Sequence, residues 1–233
     1  MQLDKEHIDQ LYTFTRQHYV EWYDLQSELV DHLANAIEVE WQQNPKLTFE
    51  EALDIEFKKF GIFGFMDVVE ERQKFLQKKY ARLIWNYYKQ FFRLPRIILT
   101  FASIYMLFQI SELFQNPKYF FLGILVIGIA FVIENLAKTT RFYKKREKET
   151  GKKWLFEEVA KNFNSFPVLF LPVNIFNAVN SFSQDDRWTA TYSLVSASLF
   201  VLVGIWMFVQ LKIIPKKVSK ELEKTYSEYQ ISK

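Results

Sequence analysis

Four long apolar runs, at residues 97–113, 119–133, 163–182 and 188–211, constrain this chain more than any other feature. A hydrocarbon core about 30 Å thick is crossed by about 20 mainly apolar helical residues, and four such spans fit here. The first, second and fourth runs are rich in Leu, Ile, Val, Phe and Ala. The third differs, because Asn162 leads into it and it carries Asn164, Ser165, Asn174, Asn177, Asn180 and Ser181 together with Pro167 and Pro172.

The mean hydropathy of −0.11 conceals two unlike parts. Residues 1–71 hold 16 acidic against 5 basic residues, and residues 72–233 hold 11 acidic against 25 basic. Such asymmetry asks for a partner or surface of defined sign. The basic residues flank the apolar runs, which suits anionic membrane lipids better than nucleic acid. No homeodomain, zinc-finger or helix-turn-helix spacing accompanies them. With no cysteine in 233 residues, disulfides, thiolate metal sites and cysteine nucleophiles are excluded. The polar, acidic start MQLDKEHIDQ does not read as a cleavable signal peptide.

The N-terminal part reads as helices. Asp4 is placed to cap a first helix over about 5–18. In a second, over about 23–43, Leu25, Leu29, Leu33, Ile37 and Trp41 recur at near four-residue spacing and form one apolar stripe. Thr48 and Glu51 form a capping box for a third helix, which Gly61 ends. The segment from Gly61 to Phe65 reads as a tight aromatic turn, since it lacks the spacing of a phosphate loop. A long helix from Met66 leads toward the first apolar run.

These elements predict an all-α chain in four parts. Residues 1–77 form an acidic cytoplasmic helical domain, and 78–96 a basic, aromatic membrane approach. Residues 97–211 form a four-helix transmembrane bundle with a basic loop at 138–161, and 212–233 a basic tail. Orientation follows from charge. Six basic residues lie in 78–96 before the first run, nine Lys or Arg lie in 138–161, and five Lys lie in 212–224, whereas the other two connections carry only Lys118 and the trio Asp185, Asp186, Arg187. The positive-inside rule then puts both termini in the cytoplasm, as in a multi-pass protein of a bacterial inner membrane.

Two constellations invite a functional reading. Asn174, Asn177, Asn180 and Ser181 form a candidate polar intramembrane face, either glue between helices or the lining of a broken helix on a substrate or ion path. In the acidic domain Glu28, Asp31 and His32 form a candidate face for a partner or, more weakly, a divalent metal, since Glu28 and His32 lie one turn apart. Two ligands do not make a metal site, and a packing or salt-bridging role is the plainer account. There is no HExxH, serine elbow, P-loop or paired His box. No catalytic residue, metal or cofactor is implied.

The pattern Glu28-Leu29-x-Asp31-His32-Leu33, the Thr48-Phe49-Glu50-Glu51-Ala52 element and Phe60-Gly61 together resemble the helical N-terminal module of bacterial HAAS-type membrane proteins and of some permease prefix domains. The resemblance spans roughly 21–61. It implies a small all-helical domain joined to membrane spans and, through the association of some members with PadR-type regulators, a signalling or regulatory role. No permease domain follows, so transport is not implied by it. The four-span remainder is similar to uncharacterised inner-membrane proteins of Bacteroidetes.

The expected function is a non-enzymatic, membrane-anchored adaptor or signalling component that recognises a protein partner, or a further copy of itself, through its cytoplasmic domain. One alternative is a small oligomeric transporter or channel-like protein built around the third span. The other is a sensor of lipid or a small ligand.

Overall fold

The computed structural model describes residues 3–182 and 189–226, with the side chains of 163–169, 171 and 182 outside the description. Asn164, Ser165 and Pro167 fall among those side chains. Asp185, Asp186, Arg187 and Trp188 lie outside the described residues altogether.

The described chain is helical throughout, apart from one isolated backbone bridge between Trp22 and Lys153. In order come α1 (Lys5–Gln17), α2 (Tyr23–Gln43), α3 (Phe49–Lys58), α4 (Met66–Lys89), α5 (Arg96–Ser111), α6 (Pro117–Thr150), α7 (Leu155–Phe182), α8 (Ala190–Phe208) and α9 (Ile214–Thr225). A 3₁₀ turn, Gln90–Phe92, follows α4, and a π-helical stretch, Val209–Ile213, joins α8 to α9. The residues divide into two compact units. The first is Met1–Gln77 with Arg146–Val159, and the second Lys78–Lys145 with Ala160–Ile231.

The first unit is built around α2. Its stripe of Leu25, Leu29, Leu33, Ile37 and Trp41 is buried along its whole length, against Leu11 of α1 and Phe49, Ala52 and Leu53 of α3. The caps fall where the sequence puts them. Asp4 accepts a bond from the His7 N–H at 2.9 Å. The Thr48 hydroxyl accepts from the Glu51 N–H at 3.2 Å while Glu51 accepts from the Thr48 N–H at 2.9 Å, satisfying two orphan donors of the first turn. Gly61 and Gly64 both have positive φ, 77° and 54°, and a Cβ on Gly64 would lie 2.9 Å from the Phe57 ring. Glycine therefore permits a turn that buries Phe65 while leaving Ile62 99% and Phe63 71% exposed.

The sequence reading places 138–161 in a basic loop, whereas Arg146–Val159 is packed within the first unit. The reason is local. Among the charges, Trp154, Leu155, Phe156 and Val159 form an apolar cluster, and all four are buried.

In the second unit α5 packs along α8. Phe121 and Leu125 of α6, Phe176 of α7 and Ala197 of α8 form one cluster, joined by Ile104 and Leu107 of α5 and Phe200 of α8. Four helices thus share one apolar centre. The outward faces of α5, α6 and α8 are also apolar, with Ile98, Leu99, Phe101, Val126, Ile127, Phe131 and Leu194 exposed.

The all-α expectation holds, and the count of spans is met in part. Among the described residues two helices are long and apolar enough to cross a membrane, Pro117–Thr150 and Ala190–Thr225. A third candidate is the pair Met66–Phe92 and Arg96–Ser111, bent by 78°.

Candidate functional site

Two features of the first unit meet at Trp22. The first is a groove of about 820 Å³ lined by Tyr19, Trp22, Phe63, Met66, Asp67, Val69, Glu70 and Gln73. Its walls are apolar and its rim is acidic. Tyr19, which follows the end of α1, has φ 66°, a left-handed conformation that is costly for a bulky residue and persists only where the surroundings fix it. Its ring is 75% exposed. The Gly61–Gly64 turn supplies Phe63 on the other side. An exposed aromatic surface of this kind marks an interaction site more often than an unused one.

The second feature is a clasp between the segment 21–24 and the segment 146–158. Asp24 is only 6% exposed, and its two carboxylate oxygens accept the N–H groups of Leu155 at 2.9 Å and Phe156 at 3.4 Å. Those groups open α7 and have no partner within the helix, so a carboxylate 131 positions away in sequence serves as the N-terminal cap of α7. Around it, the Tyr23 N–H donates to the Lys153 carbonyl at 2.8 Å. The Lys152 ammonium stands 3.6 Å above the Tyr23 ring, and Trp154 meets the same ring edge-on at 5.4 Å. Lys153 pairs with Glu21 at 2.7 Å. Arg146 and Glu157 form a buried ion pair at 2.7 Å, with side chains 5% and 8% exposed.

Trp22 belongs to both features. It lines the groove, and its indole N–H donates to Glu158 Oε2, in the first turn of α7, at 2.6 Å. A ligand that moves the Trp22 ring therefore moves a hydrogen bond to α7.

Burial raises the pKa of Asp24, and the bonds from Leu155 and Phe156 oppose that rise without cancelling it. A carboxyl with a raised folded-state pKa holds its proton more tightly folded than unfolded. Its contribution to stability is fullest below the ordinary carboxylate value and is lost as pH climbs through the raised one. Thermal unfolding of the full-length protein should show the wild type losing stability relative to Asp24→Asn over that interval, with a constant gap at higher pH. A wild type that gains stability relative to Asp24→Asn as pH rises would contradict the burial account.

The residues singled out in the sequence lie at or near the surfaces of α2 and α7. Glu28 pairs with Arg72. Asp31 and His32 are exposed, and the His32 ring meets Phe60 edge-on at 6.2 Å. Among the described residues no group of three or more His, Asp or Glu is placed to hold a metal ion. On α7, Phe176 and Val179 are buried, whereas Asn174, Asn177 and Ser181 are exposed and Asn180 half-buried. The Asn174 amide donates to the Phe170 carbonyl and the Ser181 hydroxyl to the Asn177 carbonyl, each at 2.8 Å. The Asn174 and Ser181 side chains are thus engaged within their own helix, and with Asn177 they lie at the surface of the second unit.

The clasp escapes a sequence reading because its halves are over a hundred residues apart, and nothing local to Asp24 announces the helix it caps. The one legible signal is the apolar set at 154–156 and 159 within a charged run. No protein-family model, curated protein or solved structure matches the chain.

Proposed function

We propose that this is a non-enzymatic membrane component of the bacterial inner membrane, in which the acidic unit recognises a protein partner and the helical bundle anchors it and receives the signal. The observation that carries the reading is the apolar, acidic-rimmed groove whose wall residue Trp22 is bonded to α7. The resemblance of 21–61 to HAAS-type modules points the same way.

The anchoring part of the proposal takes α5, α6, α7 and α8 as four crossings with both termini cytoplasmic. It is supported by their shared apolar cluster, by the apolar outward faces of α5, α6 and α8, which water would penalise, and by the distribution of basic residues. Two helices meet the requirement for crossing on their own, and the bent pair supplies a third candidate. The outward position of Asn174, Asn177 and Ser181 counts against a transport path through a single chain.

The test is a photo-crosslinking phenylalanine analogue placed at Phe63 in the full-length protein in its native cells. The expected result is one discrete protein adduct that disappears when Met66→Asp is added. Adducts to lipid alone, or a pattern indifferent to Met66→Asp, would overturn recognition through the groove.

A further inference from the structure

The junction of the π-helical stretch with α9 holds a second concavity, in the second unit. It has a volume of about 440 Å³ and is lined by Phe208, Lys212, Ile213, Lys216, Lys217 and Lys220. α9 presents Lys216, Lys217 and Lys220 from a fixed platform, because Ile214, Val218 and Leu222, four residues apart, are all buried along its inner face. The π turn alters the helical register just before α9. Such insertions are uncommon and gather at functional positions.

Four ammonium groups so close together repel one another unless something neutralises them. Lys212 bonds to the Asn135 amide oxygen at 2.9 Å and lies 5.4 Å from the Phe131 ring centre, and Lys217 lies 5.6 Å from that of Tyr87. All of these partners are uncharged. Lys216 and Lys220 form no ion pair among the described residues. Of the nearby carboxylates, Glu134 pairs with Lys138 at 2.6 Å while also feeling the charge of Lys212, and Glu221 pairs with Lys79. Positive charge is therefore concentrated here, and Lys216, Lys217 and Lys220 carry it without an ion-pair partner among the described residues. At one end of the concavity sits Phe208, 51% exposed, the last residue of α8, within a helix long and apolar enough to cross a membrane.

The geometry points to a binding site for an anionic phospholipid, with its phosphate among Lys212, Lys216, Lys217 and Lys220 and its acyl chain against Phe208 and Ile213. An apolar end followed at once by a cationic end is the order of groups along such a lipid, and lysine clusters just beyond a membrane helix attract anionic headgroups. The inference rests on the reading of the second unit as a membrane domain, and it adds to that reading a defined place for the lipid.

The test uses the full-length protein in nanodiscs containing phosphatidylcholine and a minor fraction of spin-labelled phosphatidylglycerol, with the motionally restricted lipid measured by electron paramagnetic resonance. The variant Lys216→Gln/Lys217→Gln/Lys220→Gln should weaken retention of phosphatidylglycerol by about tenfold or more. The Lys→Arg triple at the same positions should keep it, as should a control of equal charge loss, Arg141→Gln/Lys144→Gln/Lys148→Gln. Equal loss in the control would overturn a defined site in favour of diffuse attraction. Release of the lipid by millimolar inorganic phosphate at constant ionic strength would reassign the site to free phosphate. A protein that enters the nanodiscs without preferring the anionic lipid sinks this inference alone, and one that does not enter sinks the membrane reading with it.

Discussion

Replacing Arg146 with Met should destabilise the first unit by about 3–5 kcal/mol, because it leaves the Glu157 carboxylate buried without its partner. The pair itself need not be a large net stabiliser, since taking two charges out of water costs much of what their attraction returns. The double change Arg146→Met/Glu157→Leu should therefore recover most of the loss. Hydrogen exchange of the α2 amides in the full-length protein reads this directly. The single variant should lower protection at Leu29–Leu33 by about two orders of magnitude or more, and the double variant should approach wild type. Equal loss in both would mean that shape rather than charge makes the clasp.

Leu33→Ala should cost about 2–5 kcal/mol, since Leu33 is fully buried at the middle of α2 and its removal leaves a cavity that helices on either side close only in part. Ile62→Ala provides the contrast. Ile62 is an equally apolar residue, but it stands 99% exposed on the Gly61–Gly64 turn, and its loss should change stability by no more than about 0.5 kcal/mol. Urea unfolding monitored by tryptophan fluorescence checks both. A large stability loss at Ile62 would mean that the turn is packed in solution and that its apolar residues are not free for a partner.

The contrast between these two positions shows what was legible in the sequence. Leu33 lies in a stripe with helical period, and a stripe announces its own burial, so α2 was read from Tyr23 to Gln43 with the bounds it has. The capping box at Thr48 and the cap at Asp4 are equally local, and were equally readable. The exposure of Ile62 and Phe63 is not local. It follows from a pair of positive-φ glycines that point Phe65 inward and its neighbours outward, and hydropathy alone gives all three the same sign. Asp24 illustrates the same limit for a polar residue. In sequence it is one more carboxylate in an acidic helix. In the structure it closes the first turn of α7, a role defined only once residues far along the chain come back to it. On α7 itself, composition marked the asparagines as unusual but could not say which face they occupy, and that face is set by Phe176 and Val179 turning inward.

The clasp also has a consequence for the order in which the protein comes into being. A ribosome delivers the chain from its N-terminus, so α1, α2 and α3 are complete while the surfaces that Trp154, Leu155 and Phe156 will cover are still bare. Residues 78–145, with α5 and most of α6, must be made before Arg146–Val159 emerges to finish the domain. Completion of the first unit thereby waits on the making of α5 and most of α6, and a nascent chain stalled within them carries that unit unfinished.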